Sequence, residues 1–473
     1  MLTPHVPQGV RRRWPAVLLG GLLALGTTPG WGELPGEPFV GEPQGIEERS
    51  IREETPVRPA DAVLASLSEE QQILLREVLE RHPGIARART KARMADAQAP
   101  QVRALPDPVA AFQVFVFPPE TRVGPQRLSV SWSQKFPWFG KLALRERAVL
   151  YEAVAAHLEV EVVRLAVLTE TRLHLEEISF LERHGAILRE ERQHLVRHEE
   201  AARARYTAGV GLQQAVIKIQ AEITRIDRRL VSLESRRKSL ESTINTLRNR
   251  PFDFPLSLPS SSALRVPELD PETLRHQARG QRPELRQAEA EIARARVLEE
   301  LALKGFRPDF QVGLAYTLVE GRSDVAGRAN PPEDDGDDIL ALSASLNLPV
   351  RRSRLEAAFE EAGEGRRLAE EEKRQLEVSI EGALGEHSTR LPLLADERRL
   401  LETVLLAQAE EALRSAEAAY SAGKLGALEL LDAEHVLFEV RTAIERLRTD
   451  IATTLIRLEA VVAAPLAFEE AAR

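Results

Sequence analysis

Leu128-Ser129-Val130-Ser131-Trp132-Ser133-Gln134-Lys135-Phe136 alternates large apolar side chains with serines and a lysine. Residues 141 to 206, just beyond it, contain no proline and a single glycine, Gly185. The alternation has the period of a β-strand, with one greasy face and one small polar face. The long proline-free run reads as helix, about 100 Å of it if unbroken. Phe310, Val312, Leu314, Tyr316 and Leu318 alternate with Gln311, Gly313, Ala315 and Thr317. Leu340, Leu342, Ala344, Leu346 and Leu348 do so with Ala341, Ser343, Ser345 and Asn347. A soluble sandwich would also alternate, so strand length sharpens the choice. These runs extend for about nine to eleven residues, enough to cross an outer membrane when tilted. Four such strands cannot close a barrel, whose smallest forms have about eight, and open edges are forbidden in lipid. Several copies must share one barrel, and three copies would supply twelve strands.

Working outward, the chain repeats itself. His82-Pro83-Gly84-Ile85 returns as Arg282-Pro283-Glu284-Leu285, Phe136-Pro137 as Leu348-Pro349, and Tyr206-Thr207-Ala208-Gly209 as Tyr420-Ser421-Ala422-Gly423. The order is kept while the offset grows from 200 to 212 to 214 residues, which fits a duplication. The main step coincides with extra acidic, proline-containing sequence at 330–338, where a loop would accept an insertion. Each half reads as helix, strand pair and helical hairpin. The first helix should end at the prolines between Pro100 and Pro108, its counterpart at Pro308. The first hairpin should turn at Gly209-Val210-Gly211. The second should have an outgoing helix interrupted around Gly382, Gly385 and Pro392. Val216, Ile219, Ile223, Ile226, Leu230, Leu233, Leu240, Ile244 and Leu247 step by threes, fours and sevens, as in coiled coils.

Composition agrees with long helices. Charged residues make up 29% of the 473 residues and aromatics 5%. A net charge of −9 argues against a nucleic-acid partner. The absence of cysteine excludes disulfides, thiolate metal sites and a lipid-anchored N-terminal cysteine. Arg11, Arg12 and Arg13 precede an apolar run over 16–25, the pattern of a secretory signal. The expected organisation is a signal peptide at 1–32 and a Pro/Gly-rich leader at 33–70, extended over 33–60. A first repeat at 71–255, a linker at 256–270, a second repeat at 271–465 and a tail at 466–473 would follow.

Several short motifs together resemble the TolC family of outer-membrane efflux proteins over roughly residues 70 to 465. They are His82-Pro83, Phe136-Pro137 with Gly140-Lys141-Leu142, Arg205-Tyr206 with Gly209, Arg282-Pro283-Glu284-Leu285, Ala419-Tyr420 with Gly423, and Leu431-Asp432-Ala433. The segment 136–141 leans toward the heavy-metal and cation efflux branch. The resemblance implies a mainly α fold with a small β part. Duplicated hairpins would form an α-barrel below a trimeric 12-stranded β-barrel in the outer membrane of a Gram-negative bacterium. It implies a homotrimeric conduit in tripartite efflux or type I secretion, reaching into the periplasm, fed by an adaptor and an inner-membrane pump of the RND type. The adaptor would dock at Ala208, Gly209, Val210, Ala422, Gly423 and Lys424. Glu429, Asp432 and Tyr420 would narrow the entrance. Ala215 stands where the first repeat would carry the counterpart of Glu429.

Read without the resemblance, these sites have plainer explanations. Glu429 and Asp432, three apart, share a helix face whether they ring a pore or are simply solvated. His194 and His198, four apart, could hold a metal. Arg197, Glu199 and Glu200 beside them favour an exposed charged stripe, and neither His184 nor His174 is an identifiable third ligand. The acidic run 333–338 lacks the spacing of a calcium loop and is expected to be a disordered connection. Trp132, Phe136, Trp138 and Phe139 suit either an interfacial belt or packing at a strand-to-helix junction. No convergent nucleophile, base and oxyanion donors occur, so neither an enzyme nor a cofactor is expected. The alternative reading is a periplasmic adaptor or coiled-coil scaffold.

Overall fold

The computed structural model describes residues 58–259, 266–267 and 269–466. The expected signal peptide, the leader as far as residue 57, most of the tail and part of the 256–270 linker lie outside them. The last part of the 33–70 leader, within the described residues, is largely helical. Helix α1 (Pro59–Ala65) buries Ala60, Val63 and Leu64, and α2 (Glu69–Arg81) follows behind a Ser68 cap. Their apolar faces join one core with α3 (Pro83–Arg103) and α4 (Lys141–Thr207).

The repeated X-Pro motifs are helix starts. His82 and Arg282 are held extended before proline, and Pro83 and Pro283 open α3 and α7 (Pro283–Lys304). Pro271 opens α6 (Pro271–Gln281) in the same way, with Asp270 accepting the Thr273 amide at 3.0 Å. Helix α3 ends at Arg103, within the expected Pro100–Pro108 stretch, with Pro100 inside its last turn. The exposed position of Pro100 lets solvent take the freed carbonyl.

Four main strands form an antiparallel sheet: β1 (Val109–Val114), β3 (Gly124–Phe136), β4 (Phe310–Val319) and β5 (Ile339–Leu346), adjacent in that order. A two-residue strand, β2 (Glu120–Thr121), pairs with β3. The strands have 6, 13, 10 and 8 residues, more uneven than expected. The sheet joins the repeats through β3 and β4. Beyond it the connections of both repeats are tied together. Asp334 pairs with Arg122, Arg127 with Glu320 at 2.9 Å, and the Gly336 amide with the Val123 carbonyl at 2.7 Å. The acidic run is therefore built into structure rather than disordered. A short helix, α8 (Val325–Ala329), capped by Asp324, lies within the same connection.

Below the sheet, α4 runs unbroken for 67 residues, about 100 Å. It packs against α3, α7, α5 (Gln213–Leu247) and α11 (Ala427–Val462). In the second repeat α9 (Arg352–Leu400) passes through Gly382, Gly385 and Pro392 without a break. All three are exposed, so the glycines cost only propensity and the proline frees a carbonyl near solvent. The irregularity comes later, as a π-turn over Leu401–Leu405 before α10 (Leu406–Ser421). It separates two cores: Leu401 packs into the upper one and Leu406 into the lower. The wider turn re-aims the helix face between them. No described helix is long and apolar enough to cross a membrane.

Candidate functional site

Both hairpin tips close in the same way. Gly209 and Gly423 take φ of +77° and +73°, the left-handed region that glycine enters at little cost. The amide of Gly209 reaches the Tyr206 carbonyl and that of Val210 the Arg205 carbonyl, both at 3.0 Å. Gly423 and Lys424 repeat this on Tyr420 and Ala419 at 3.0 and 2.8 Å. These paired bonds satisfy carbonyls that each helix end would leave open. Ala208, Gly209, Val210, Ala422, Gly423 and Lys424 are thus all solvent-exposed at two turns of one geometry.

The tyrosines beside those turns differ. Tyr206 is 44% exposed, whereas Tyr420 is 8% exposed and joins the lower core with Leu413, Leu430 and Leu437. Arg205 from the first hairpin covers Tyr420. Its guanidinium lies 4.7 Å from the ring centroid and donates to the Tyr420 carbonyl at 2.8 Å. The tips are therefore tied across the repeats, from Arg205 to Tyr420.

Glu429 and Asp432 sit on the exposed side of the first turns of α11. Glu429 folds back toward Gly426 at the helix start, where the positive end of the helix favours a carboxylate. Ala215, the first-repeat counterpart, is half-buried and carries no charge.

Above the tips, α4 and α11 run antiparallel and are joined by charge. Arg172 meets Glu459 at 2.7 Å, Glu177 meets Arg446 at 3.1 Å, Arg183 meets Glu445 at 2.6 Å and Glu190 meets Arg441 at 2.8 Å. Continuing this series, His194 and His198 face Glu434, each at 3.4 Å. They are not the exposed stripe expected from their charged neighbours. Glu434 is 1% exposed, and neither of its oxygens forms a hydrogen bond. Burial, with Glu191 and Glu417 nearby, pushes its carboxyl up to about 8 against the pull of Arg197. Burial also draws both imidazoles down, so the pair is poorly placed to ionise. Glu417 of α10 brings a third donor, with one atom of each of His194, His198 and Glu417 within 4.8 Å of the others. Sequence spacing found the histidines but neither glutamate, because both lie more than two hundred residues away. Nor do His174 and His184 join this group. His174 faces Glu170 and His184 packs on Phe180.

The sheet has two unlike faces. Phe112, Val130, Tyr316 and Leu340 form one row across the four main strands, and Ala110, Trp132, Leu314 and Leu342 form another. Phe112, Leu340 and Leu342 are 74, 68 and 79% exposed. The opposite face carries Ala111, Ser131, Ala315 and Ala341, beside Val109, Ser133, Gly313 and Ser343. Ten residues of β4, tilted as barrel strands are, rise about 25 Å, the height of an outer-membrane apolar band. Where strands meet helices, Phe136 stacks on Phe310 at 5.3 Å and Phe139 leans on it. Lys141 reaches Asp309 at 2.7 Å, joining the start of α4 to the second repeat.

Residues 274–464 match the family model described as outer membrane efflux protein. No curated protein matches the chain. Among solved structures it resembles the outer membrane protein VceC of Vibrio cholerae at 18% identity, over 84% of this chain and 96% of that one, with a TM-score of 0.70. The CmeC outer membrane channel of Campylobacter jejuni gives 15% identity over 86% and 87%, with a TM-score of 0.67. The open-state MtrE outer membrane channel of Neisseria gonorrhoeae gives 18% over 83% and 89%, with a TM-score of 0.65. The second repeat thus matches the outer membrane efflux protein model, and the chain shares its fold with these outer membrane channels along most of its length.

Proposed function

We propose that three copies of this chain close a twelve-stranded barrel in the outer membrane, with their helices forming a tunnel through the periplasm. The observation that carries this reading is the sheet. Its apolar face is exposed across all four main strands, and β1 and β5 are its open edges. Lipid on one face, a polar lumen on the other and edge pairing between copies would satisfy every strand. The conduit performs no chemistry. It opens when a periplasmic adaptor and an RND-type inner-membrane pump engage the tips, parting contacts such as Arg205 to Tyr420. Glu429 and Asp432, exposed on α11, then present carboxylates to the entrance and favour cations.

Fractionation tests this reading, followed by gel mobility of the detergent-extracted outer membrane with and without boiling. A heat-modifiable trimer in that fraction is expected. A soluble periplasmic monomer would refute the barrel and favour the scaffold.

A further inference from the structure

We propose that His194, His198 and Glu434, with Glu417 at the open side, form a binding site for a divalent transition-metal cation of the zinc class that fastens the first hairpin to the second. The site draws on three helices: the histidines come from α4, Glu434 from α11 and Glu417 from α10.

The geometry points to a metal. A tetrahedral zinc site with bonds of about 2.0–2.1 Å has donor-to-donor edges of about 3.3–3.4 Å. His194 Nδ1 lies 3.4 Å from Glu434 Oε1, and His198 Nε2 lies 3.4 Å from Glu434 Oε2. A direct hydrogen bond between a carboxyl and an imidazole would be shorter and better aligned. All four atoms are buried without a hydrogen-bond partner. Such groups are rarely left so in a native structure, and Glu417 brings a further donor to the same two imidazoles. Elsewhere on the same seam Glu459 and Glu445 are met by arginines at 2.7 and 2.6 Å. Glu434 alone among these three faces imidazoles. Phe438 packs edge-on against His194 at 5.6 Å and walls off one side. Two imidazoles with a carboxylate suit zinc, copper or nickel better than calcium or magnesium.

His198 lies nine residues above the end of α4, about 13 Å from the tip. A bound ion would therefore resist separation of the hairpins just above the turns. That consequence rests on the proposed opening of the tips, whereas ion binding itself does not.

The test uses full-length, untagged protein in detergent, stripped with a chelator and titrated with Zn²⁺ against a chromogenic competitor. A parallel titration uses Co²⁺. One Zn²⁺ per chain and the intense visible bands of tetrahedral Co²⁺ are expected. His194→Ala with His198→Ala, and separately Glu434→Gln, should each weaken binding by at least about 10–100-fold, the usual effect of losing even an outer partner. Their helical circular dichroism should stay unchanged, and His276→Ala, at an exposed position, should bind as the parent does. No uptake, an octahedral Co²⁺ spectrum, or uptake indifferent to these substitutions would overturn the site. If a variant fails to fold, the Co²⁺ spectrum of the parent decides. Because the titration needs neither membrane nor conduction, the site and the channel reading can fail separately.

Discussion

The two hairpins end in turns of one geometry, yet their surroundings have diverged. In the first, Tyr206 faces solvent, Ala215 is uncharged and α4 is unbroken for its full length. In the second, Tyr420 is buried under Arg205, Glu429 and Asp432 stand on the outer face of α11, and a π-turn precedes α10. Local backbone chemistry was copied by duplication, because a glycine in the left-handed region closes a helix wherever it occurs. The environments were not copied, since each hairpin packs against a different neighbour. The first supplies the arginine and the second accepts it, which makes the paired tips asymmetric within one chain.

The largest effect expected from testing this contrast is at the glycines. Valine at either position would meet a left-handed backbone, a strain of about 1–3 kcal/mol. At Gly423 a new Cβ would also lie 3.1 Å from the Arg205 guanidinium, whereas nothing lies within 4 Å at Gly209. Gly423→Val should therefore lower the melting temperature more than Gly209→Val. Equal losses would mean that the Arg205 contact is immaterial.

Next comes the clasp. Arg205→Ala removes a charged hydrogen bond and a cation–π contact, together about 1–3 kcal/mol. It should raise resting single-channel conductance and tip proteolysis, whereas Tyr206→Ala should stay within about 0.5 kcal/mol of the parent. Matching phenotypes would erase the proposed asymmetry.

A third contrast concerns where the hairpins return. Arg248 and Arg250, at the end of α5, both hold Glu77 of α2 at 2.7 Å. The second hairpin instead returns beside Arg282, which donates to the Val461 carbonyl at 3.4 Å. Burial raises the Glu77 carboxyl, but the two arginines more than offset it and hold it below its usual range. Its contribution is present above the ordinary carboxylate range and fades as pH falls through the lowered folded value. Glu77→Gln should cost about 1–2 kcal/mol at pH 7 by thermal melting, and the gap should close in acid. A gap independent of pH would mean that the loss is one of packing.

The smallest stability effect, within about 0.5 kcal/mol, is expected at the exposed acids. Glu429→Ala with Asp432→Ala should reduce cation selectivity, and Ala215→Glu should increase it. Unchanged reversal potentials would remove these positions from the lumen.

Much of this was legible in the chain. The alternation from Leu128 to Phe136, the X-Pro helix starts and the Tyr-x-Ala-Gly turns are set by chemistry within a few residues. Other positions misled for equally physical reasons. Pro392 suggested a break, but an exposed proline in a long, well-packed helix costs one hydrogen bond and leaves the rest intact. His194 and His198 looked like part of a charged surface, because nothing near them in sequence reveals that α11 covers that face.

The sequence by itself determined the duplication, the strand periodicity, the helix lengths and the turns, all products of short-range sterics and backbone hydrogen bonding. Only the tertiary structure decided which tyrosine is buried, which arginine covers it, and that Glu434 meets two imidazoles from the other hairpin. Those outcomes depend on the register between helices far apart in the chain, and that register is set by packing along their whole length.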